Sequence, residues 1–262
     1  MKSLATGFTN RDYNWEGVKT LTVYSIPTVA LSDYNREASA NRYGTPAELE
    51  DTKQTMSVTQ DKGFTFIIDK GNKVDQVNVK DAGKALRREI DEVIVPTEDK
   101  YVFKKIAKGA YDNSSYATGA LSKANAYEKF LDGQTALDNA LVPAAGRIAA
   151  VNASTLALLK QDSAFVLASD MGQKIKINGL IGELDGVKIV KVPDSYLPTG
   201  CQFIITHPSV TVKAEKIKDY KIHDNPPGIS GNLVEGRVYY DAFVLDAKKD
   251  GIFAHFTSSP SF

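Results

Sequence analysis

Side chains that could carry out chemistry are few in this chain and lie far apart. The three histidines, His207, His223 and His255, are not accompanied by an H-E-x-x-H motif or by a pair of cysteines. A zinc site needs three or four histidine, cysteine or carboxylate ligands at short, characteristic spacings. We therefore predict no metal site and interpret each histidine as a surface or strand-end residue.

Motifs for nucleophilic catalysis and phosphate binding are also missing. The single cysteine, Cys201, has no neighbouring basic residue that would favour its thiolate form. Lys84 follows Gly83, but the second glycine that a phosphate-binding loop requires is not found five residues earlier. We predict no catalytic residue and no cofactor, and hence a protein that is not an enzyme.

Charged pairs along the chain fit solvated surfaces better than acid–base sites. Asp91/Glu92 and Glu98/Asp99 are adjacent pairs within a predicted helix, so the two carboxylates of each pair point to different faces. A solvated helix surface accounts for both pairs. Residues 213–221 mix both signs with one aromatic residue, and we interpret them as a wet strand or helix face rather than a nucleic-acid site.

Composition limits the class of protein further. The chain has 262 residues, of which 42% are hydrophobic, so one large domain or two interleaved domains could bury a core. Its 32 basic and 32 acidic residues leave no net charge to attract nucleic acid from a distance, so any DNA must be met by local patches. No apolar run is long enough to cross a bilayer and no leader is recognisable, so we expect no membrane partner and an intracellular setting.

The N-terminal part of the chain predicts a long hairpin. Residues 1–17 carry few apolar side chains and should form an arm that cannot bury a face by itself. Residues 18–26 and 56–68 are rich in β-branched and aromatic side chains and predict the two long strands of one hairpin. The polar residues between them, 27–55, show no helical or strand period. Such a hairpin exposes strand edges, so we predict that a neighbouring subunit covers it.

A long amphipathic helix should follow the hairpin. Asn78 is a plausible N-cap, and apolar residues then recur at spacings of three and four. Pro96 should kink the helix, and the apolar face continues to Gly109, which suits a C-terminal stop. We predict one bent helix over residues 78–108, or two helices in series.

The remainder of the chain predicts a mixed α+β unit. A second amphipathic helix would be ended by Pro143, and its apolar side would carry Tyr127, Phe130, Leu131, Leu137 and Leu141. Asn152 can cap a helix over residues 153–160. Short strands are predicted at residues 147–151, 165–168, 187–192 and 203–206. Residues 237–245 and 251–256 are predicted to form a final hairpin.

Five segments of the chain are similar, in the same order, to segments of one known family. They are D-Y-N-W-E-G-V-K-T (12–20), F-T-F-I-I-D-K-G-N (64–72), D-A-G-K-A-L-R-R-E-I-D-E (81–92), I-G-E-L-D-G-V-K-I-V (181–190) and E-G-R-V-Y-Y-D-A-F-V-L (235–245). No single segment is diagnostic, but together they span nearly the whole chain. The chain thus resembles the major capsid proteins of tailed bacteriophages, of the Hong Kong 97 type.

This resemblance implies a Hong Kong 97-type capsid fold of the α+β class, with four parts. Residues 1–17 would be the N-terminal arm, and residues 18–70 would be the extended E-loop. Residues 71–142 with 209–262 would form the P-domain, whose spine helix is the long helix predicted above. Residues 143–208 would form the A-domain, which packs around the pentamer and hexamer axes.

The resemblance also implies a function and partners. Such a chain assembles with copies of itself into pentamers and hexamers of an icosahedral phage head, with double-stranded DNA on the inner face. A scaffolding protein and a portal would be further partners, and the virion would be assembled in the cytoplasm of the bacterial host. The arm is short for this family, which leaves open a separate scaffold or a trimmed form.

Two other classes of protein are weighed against this expectation. An encapsulin-like nanocompartment has the same fold but encloses a cargo enzyme instead of a genome. An enzyme with a long lid loop would need a convergent set of titratable groups, which the sequence does not offer.

Shell function rests on contact area, so the candidate site residues are packing and surface residues. The predicted interface residues are Trp15, Phe64 and Phe66 at the base of the hairpin, Arg36, Arg42 and Tyr43 near the loop tip, and Arg87 and Arg88 on the spine helix as polar or DNA-facing contacts.

Overall fold

Two compact units make up the chain in the computed structural model, which describes residues 3–46, 48–49, 51–75, 81–162, 182–260 and 262. Asp12–Val58 form the first, which we call the loop unit. Met1–Arg11 together with Thr59–Phe262 form the second, which we call the main unit. The predicted strand at residues 165–168 lies outside the described residues.

The loop unit contains one small antiparallel sheet. Its strands are β1 (Asn14–Glu16), β2 (Thr20–Ser25) and β3 (Thr52–Ser57), with β2 in the centre. Leu21 lies opposite Met56 in the β2–β3 register, and both side chains are buried. Among the described residues between β2 and β3 there is no helix or strand, in agreement with the missing period of that segment.

The main unit begins its own sheet only two residues after β3. Strand β4 (Gln60–Asp69) pairs with β11 (Gly231–Val244), which also pairs with β10 (Thr211–Asp224). All three strands are antiparallel, and β11 is central. The prediction of a single strand over residues 56–68 was wrong, because that segment is divided between two sheets.

Thr59 lies at the break between β3 and β4 and is bound by a residue from a distant part of the chain. Its backbone N–H and its hydroxyl both donate to Oδ2 of the buried Asp241, at 2.9 and 2.8 Å. Backbone pairing therefore switches from a neighbour in the loop unit to β11 at this residue. Apolar alternation continues on both sides of Thr59, so the sequence pattern did not reveal the break.

A nearly continuous helical run forms the spine of the main unit, after the short helix α1 (Lys70–Asp75). It consists of α2 (Ala82–Glu89), a π-helical segment (Ile90–Ile94) and α3 (Val95–Asp112). The long helix is thereby confirmed. Asp81 is the N-cap in place of Asn78, which lies outside the described residues: its side chain accepts a hydrogen bond from the backbone N of Lys84 at 2.9 Å.

Two details of this helical run differ from the predictions. The π-helical segment ends at Ile94, two residues before Pro96, which lacks the backbone N–H that a regular α-helix would use there. The helix also continues through Gly109, the predicted stop, to Asp112. Gly109 is needed for packing instead, since a Cβ atom there would lie 2.6 Å from Cγ2 of Val244.

A six-stranded sheet and two helices complete the main unit. In spatial order its strands are β5 (Tyr116–Thr118), β12 (Ile252–Phe256), β9 (Cys201–Thr206), β6 (Ile148–Asn152), β8 (Val187–Val192) and β7 (Glu183–Leu184). The helices are α4 (Ala126–Asn139) and α5 (Ala153–Gln161). Asn152 caps α5 as predicted, accepting a hydrogen bond from the backbone N of Thr155 at 2.7 Å.

The C-terminal hairpin predicted from residues 237–245 and 251–256 does not form. Strand β11 pairs with β10 and β4, whereas β12 pairs with β9 and β5 in the other sheet. Leu141, predicted to lie on the apolar side of α4, follows the helix in a left-handed conformation with φ +56° and is 91% exposed. Phe130 and Leu137 are buried on that side as predicted.

Helix α3 lies against both sheets of the main unit. Its buried side carries Val102, Phe103, Ile106, Ala107 and Ala110. These residues share one core with apolar side chains of β6, β9 and β12 and with Ala242 of β11. Among the described residues, no helix is both long and apolar enough to span a membrane.

The first part of the N-terminal segment packs in this core. A short 3-10 helix, Ala5–Phe8, buries both of its end residues, and the Phe8 ring meets Phe103 edge-on at 5.1 Å. Asp99 accepts hydrogen bonds from the backbone N of Leu4 at 2.8 Å and from the Ser3 hydroxyl at 2.5 Å. Ala5 and Phe8 are therefore buried against other elements of the main unit, which agrees with a segment that cannot bury a face by itself.

Truncation of Phe8 tests this packing. We expect Phe8→Ala to lower the free energy of unfolding by about 3–5 kcal/mol, the usual cost of removing a fully buried phenylalanine ring. Chemical denaturation followed by circular dichroism measures the change. Leu31→Ala, at a fully exposed side chain of the loop unit, is the control and should change the value by less than about 0.5 kcal/mol. Equal, small effects of both substitutions would show that the segment is detached.

Candidate assembly surfaces

The sheet of the loop unit carries Trp15 on its outer strand β1. Trp15 is 36% exposed, and its ring meets Tyr13 edge-on at 5.7 Å. Beside it, Lys53 of β3 forms an ion pair with Glu16 at 2.8 Å. Hydrogen bonds from Lys53 and Thr22 lower the pKa of the Glu16 carboxyl. Trp15 therefore lies on the outer strand of this sheet with a ring that is partly accessible, and its role at an interface stays a prediction.

The tip of the loop unit is organised by its own hydrogen bonds. The backbone N of Asn35 donates to the carbonyl of Arg42 at 3.0 Å, which closes the chain reversal. Inside it, the Asn35 side chain accepts from the backbone N of Glu37 and of Ala38, and Arg42 Nε donates to the Ala38 carbonyl at 2.7 Å. The residues that form these hydrogen bonds are mostly exposed, so the bonds order a surface loop and not part of a hydrophobic core.

Aromatic packing supports the same tip. Tyr34 and Tyr43 meet at 4.9 Å between ring centroids, and the Ser32 hydroxyl donates to the carbonyl of Tyr43. The Tyr43 side chain is nevertheless 84% exposed. The structure thus brings Arg42 and Tyr43 together at the tip, with Arg36 exposed within the same reversal.

Most of the large apolar side chains that are exposed among the described residues belong to the loop unit. They are Trp15, Val18, Tyr24, Ile26, Val29, Leu31, Tyr34, Tyr43 and Leu49. Scattered exposed apolar residues are normal, but such a concentration in one short segment marks an interaction surface.

Phe64 and Phe66 lie away from the predicted position. Both belong to β4 in the main unit and stack at 6.2 Å from each other. Phe64 also packs against Tyr220 of β10, and both phenylalanines contact the cluster around Ala82 and Val234. They therefore join helix α2 to the three-stranded sheet instead of forming the base of the hairpin.

Arg87 and Arg88 are exposed on α2, in ion pairs with residues one turn later. Arg88 forms two 2.9 Å hydrogen bonds with the Glu92 carboxylate, which raise its pKa. Arg87 Nε lies 3.9 Å from Asp91. Exposed pairs of this kind contribute little to stability, so both arginines are available for a partner at low energetic cost.

A buried carboxylate in β11 binds two other parts of the main unit. Asp241 of β11 is fully buried and accepts hydrogen bonds from Thr59 and, at 2.7 Å, from the Tyr101 hydroxyl. Burial and the Asp241 hydrogen bond raise the pKa of Tyr101, so this hydroxyl keeps its proton as the donor. Asp241 therefore fixes the point at which the chain returns from the loop unit.

Glu98 forms a buried ion pair. Its Oε2 lies 2.6 Å from Lys213 Nζ, and the two side chains are only 4% and 10% exposed. Lys213 also lies over the Tyr240 ring at 5.8 Å, and Lys218 Nζ is 3.6 Å from the second Glu98 oxygen. The interpretation of Glu98/Asp99 as a solvated pair was wrong, and so was the wet face proposed for Lys213.

A signal for these carboxylates exists in the sequence. Glu98 and Asp99 fall between Val95 and Val102 at spacings of three and four, which places them on the apolar stripe of α3. Asp241 is the one charged residue within the apolar run formed by residues 238–244 at the end of β11. A charge within an apolar periodic pattern indicates a buried, paired group, whereas adjacency within a pair does not.

The candidate catalytic side chains have structural partners. Burial raises the pKa of the Cys201 thiol, which disfavours the thiolate. His207 Nδ1 lies 2.7 Å from the Ser209 hydroxyl, and His223 lies 2.8 Å from a Glu235 oxygen. Within the described part of the chain, no group of three histidine, cysteine or carboxylate side chains could hold a metal ion.

His255 lies near the end of β12, which fits the strand-end alternative of the prediction, but it is buried and not at the surface. Its Nδ1 lies 3.0 Å from the Gln202 side-chain oxygen, and its ring stacks on Phe203 at 5.2 Å. Burial lowers its pKa, with a further lowering by Lys129 and an opposing effect of Asp132. The imidazole is thus kept neutral inside the sheet.

Comparison with solved structures identifies the fold. The chain matches a Mycobacterium phage Che8 structure with a TM-score of 0.74 and 20% identity, over 97% of this chain and 91% of that one. It matches the capsid structure of cyanophage P-SCSP1u with a TM-score of 0.78 and 12% identity, over 99% and 89%. A virus-like particle from Pyrococcus furiosus gives a TM-score of 0.58 and 13% identity, over 97% and 92%.

These likenesses define the class of fold. No protein-family model and no curated protein sequence matches the chain. The structural matches nevertheless span nearly the full length of both chains, so the chain has the Hong Kong 97-type capsid fold of tailed-phage head proteins. The α+β class and the resemblance stated from the five sequence segments are both confirmed.

The Glu98–Lys213 pair can be tested by a double-mutant cycle. We expect Glu98→Leu and Lys213→Met each to lower the free energy of unfolding by about 3–5 kcal/mol, since each leaves one buried charge without its partner. The double variant should recover most of this loss, because no uncompensated charge remains. Denaturant titration measures all three variants. Additive losses in the double variant would mean that the two charges are not coupled.

The matched control for that cycle is the exposed pair of Arg88 and Glu92. Glu92→Gln should change the free energy of unfolding by no more than about 0.5 kcal/mol.

His255 predicts an acid-sensitive stability. Its folded-state pKa is lowered, so below the ordinary histidine value of about 6.5 the unfolded chain binds a proton that the folded chain does not. Stability should therefore fall as pH decreases below about 6.5, by up to about 1.4 kcal/mol per pH unit, until the folded-state pKa is reached. Denaturant titrations across this range should show the slope, and His255→Gln should remove it. His223→Gln, at a half-buried histidine on β10, should leave the slope in place; its loss in that control would assign the effect elsewhere.

Proposed function

We propose that this chain is the major capsid protein of a tailed bacteriophage. It assembles with copies of itself into pentamers and hexamers of an icosahedral head that encloses double-stranded DNA. The observation that carries the proposal is the loop unit of a capsid-type fold, in which apolar side chains are concentrated and exposed. In an isolated monomer this surface would be costly, whereas burial between subunits would stabilise the assembly.

The arrangement of the loop unit supports repeated contact between copies. Strands β1 and β3 are the outer strands of its sheet, a position at which another chain can add. The tip around Asn35–Arg42 is shaped by internal hydrogen bonds, so it can meet a neighbour as a preformed surface. A contact between two different patches of identical subunits can close into rings, and rings can combine into shells.

Roles for the predicted interface residues follow from their positions. Arg36, Arg42 and Tyr43 contact a neighbouring subunit at the loop tip, and Trp15 does so at the base. Arg87 and Arg88 form polar contacts from the spine. Phe64 and Phe66 act indirectly, by holding β4 against α2.

The finer assignments from the sequence remain part of this proposal. Residues 1–17 form the N-terminal arm, 18–70 the E-loop, 71–142 with 209–262 the P-domain, and 143–208 the A-domain. A scaffolding protein and a portal are further partners, and the virion is assembled in the cytoplasm of the bacterial host.

A second candidate is the shell of a protein compartment that encloses a cargo enzyme. The likeness to the Pyrococcus furiosus virus-like particle favours it, although the TM-score of 0.58 is below those of the phage structures quoted above. The two candidates differ in their contents, because a phage head holds DNA and a compartment holds protein. Nuclease-resistant DNA in purified particles supports the first, and a stoichiometric second protein supports the second.

Deletion of the loop tip tests assembly. We expect the purified chain to form closed shells by negative-stain electron microscopy. Replacing residues 32–52 by a short Gly-Ser linker should leave a folded monomer that no longer assembles, because the exposed loop surface is lost. Size-exclusion chromatography with light scattering measures the assembly state, and circular dichroism verifies the fold.

The control is a single substitution of an uncharged side chain in the same segment. Ser32→Ala leaves the charges and the aromatic pair in place and should still form shells. Normal shells from the loop deletion would contradict the role of the loop unit, and a wild-type chain that stays monomeric even with phage scaffold would contradict shell function.

A further inference from the structure

The exposed side of helix α3 carries lysines at every fourth position. Lys100, Lys104 and Lys108 are all exposed, whereas the buried side of the same helix faces the core. Residues four apart lie on the same face of an α-helix, so the three ammonium groups form one row. We call this row the lysine stripe.

Acidic groups neutralise the stripe only in part. The two carboxylates in the first half of α3, Glu98 and Asp99, are buried and bound to other groups. Lys108 pairs with Asp112 at 2.7 Å, and Lys100 lies over the Tyr196 ring at 5.7 Å. Among the described residues, no acidic partner within ion-pair distance is found for Lys100 or Lys104, so the stripe keeps a positive charge.

Charge is distributed unevenly between the helices of the main unit. The exposed side of α4 carries Glu128, Asp132 and Asp138, with Lys129 paired to the first two. The chain as a whole has no net charge, so long-range attraction cannot bring it to a polyanion. A protein without net charge can still bind a polyanion through a local row of basic side chains.

We propose that the lysine stripe, Lys100, Lys104 and Lys108, is a contact surface for the phosphate backbone of double-stranded DNA. The proposal rests on the proposed function, in which the shell encloses DNA, and it assigns the exposed side of α3 to the inner surface. The stripe spans about 12 Å along the helix. One strand of B-DNA offers a phosphate about every 3.4 Å of its axis, so roughly three to four phosphates fall within this length.

The chemistry of the stripe favours phosphates without base recognition. Lysine ammonium groups on flexible stems act as point charges and can follow a backbone of any sequence. The aromatic residues nearest the stripe are not exposed: Phe103 and Tyr196 are buried and Tyr101 is half-buried. None of these rings offers the exposed face on which a base of single-stranded nucleic acid would stack. The contact should therefore depend on salt and not on DNA sequence.

The test compares two variants of the full chain with equal charge change. The stripe variant carries Lys100→Gln, Lys104→Gln and Lys108→Gln; the control carries Lys123→Gln, Lys188→Gln and Lys249→Gln, at exposed lysines elsewhere in the main unit. Glutamine has nearly the helix propensity of lysine, so the fold should be unaffected, and circular dichroism verifies this. Fluorescence anisotropy is measured on full-length subunits dissociated from the shells, because a duplex cannot reach the inner surface of a closed shell. A short labelled DNA duplex gives the binding constant over a series of KCl concentrations.

The salt dependence separates the outcomes. We expect the slope of log K against log salt to become shallower by about 2.7 in the stripe variant, since each lost phosphate contact removes about 0.9, and to stay near wild type in the control. Equal slopes in the two variants, or a wild-type chain that does not bind the duplex, would overturn the proposal. Tighter binding of polyglutamate than of the duplex, at equal charge and equal salt concentration, would also overturn it, in favour of an acidic protein as the partner.

Failure of this inference can be told apart from failure of the proposed function. Shell formation is measured by electron microscopy and does not require DNA binding. Shells without stripe-dependent binding overturn the inference alone, whereas stripe-dependent binding by a chain that forms no shells overturns the proposed function alone.

Discussion

Helix α3 is the element on which the rest of the main unit depends, because it packs against both sheets at once. Its stripe from Val102 to Ala110 shares one core with the six-stranded sheet and with β11. The same face carries Glu98 and Asp99, whose charges are satisfied by Lys213 of β10 and by the N-terminal segment. Apolar packing supplies most of the free energy, and the two carboxylates restrict which elements can pack there, since a wrong partner would leave a buried charge without a counter-charge.

The two units differ in how they place their apolar side chains. The main unit buries its large apolar residues and pairs its buried charges, as a stable core requires. In the loop unit a small sheet and a hydrogen-bonded tip expose most of the apolar side chains. Such a segment is ordered by local bonds and gains its full burial only from another molecule, which is the physical basis of the shell function proposed for this fold.

The sequence pattern predicted secondary structure correctly where the structure of an element depends on neighbouring residues. The Asn152 cap of α5, the strand at residues 187–192 after the Asp185–Gly186 turn, and the long spine helix all follow from neighbouring residues. Pairing between distant strands was not accessible in this way. The split between β3 and β4 depends on Asp241, which lies far along the chain. Strands β11 and β12 are in different sheets because β11 pairs with β10 and β12 pairs with β9. The candidate site divides likewise: Arg42 and Tyr43 lie at the loop tip as predicted, whereas Phe64 and Phe66 belong to the main unit.

By itself the sequence determined the α+β class, the lack of a helical or strand period in the segment between β2 and β3, and a resemblance carried by five ordered segments. These properties depend on composition and on periodicity within single elements. Only the tertiary structure decided that Ala5 and Phe8 belong to the core, that Glu98, Asp99 and Asp241 are buried, and that three lysines of α3 form one exposed row. The reason is that burial of a charge or an aromatic ring depends on what packs against it, and here each partner comes from a distant part of the chain.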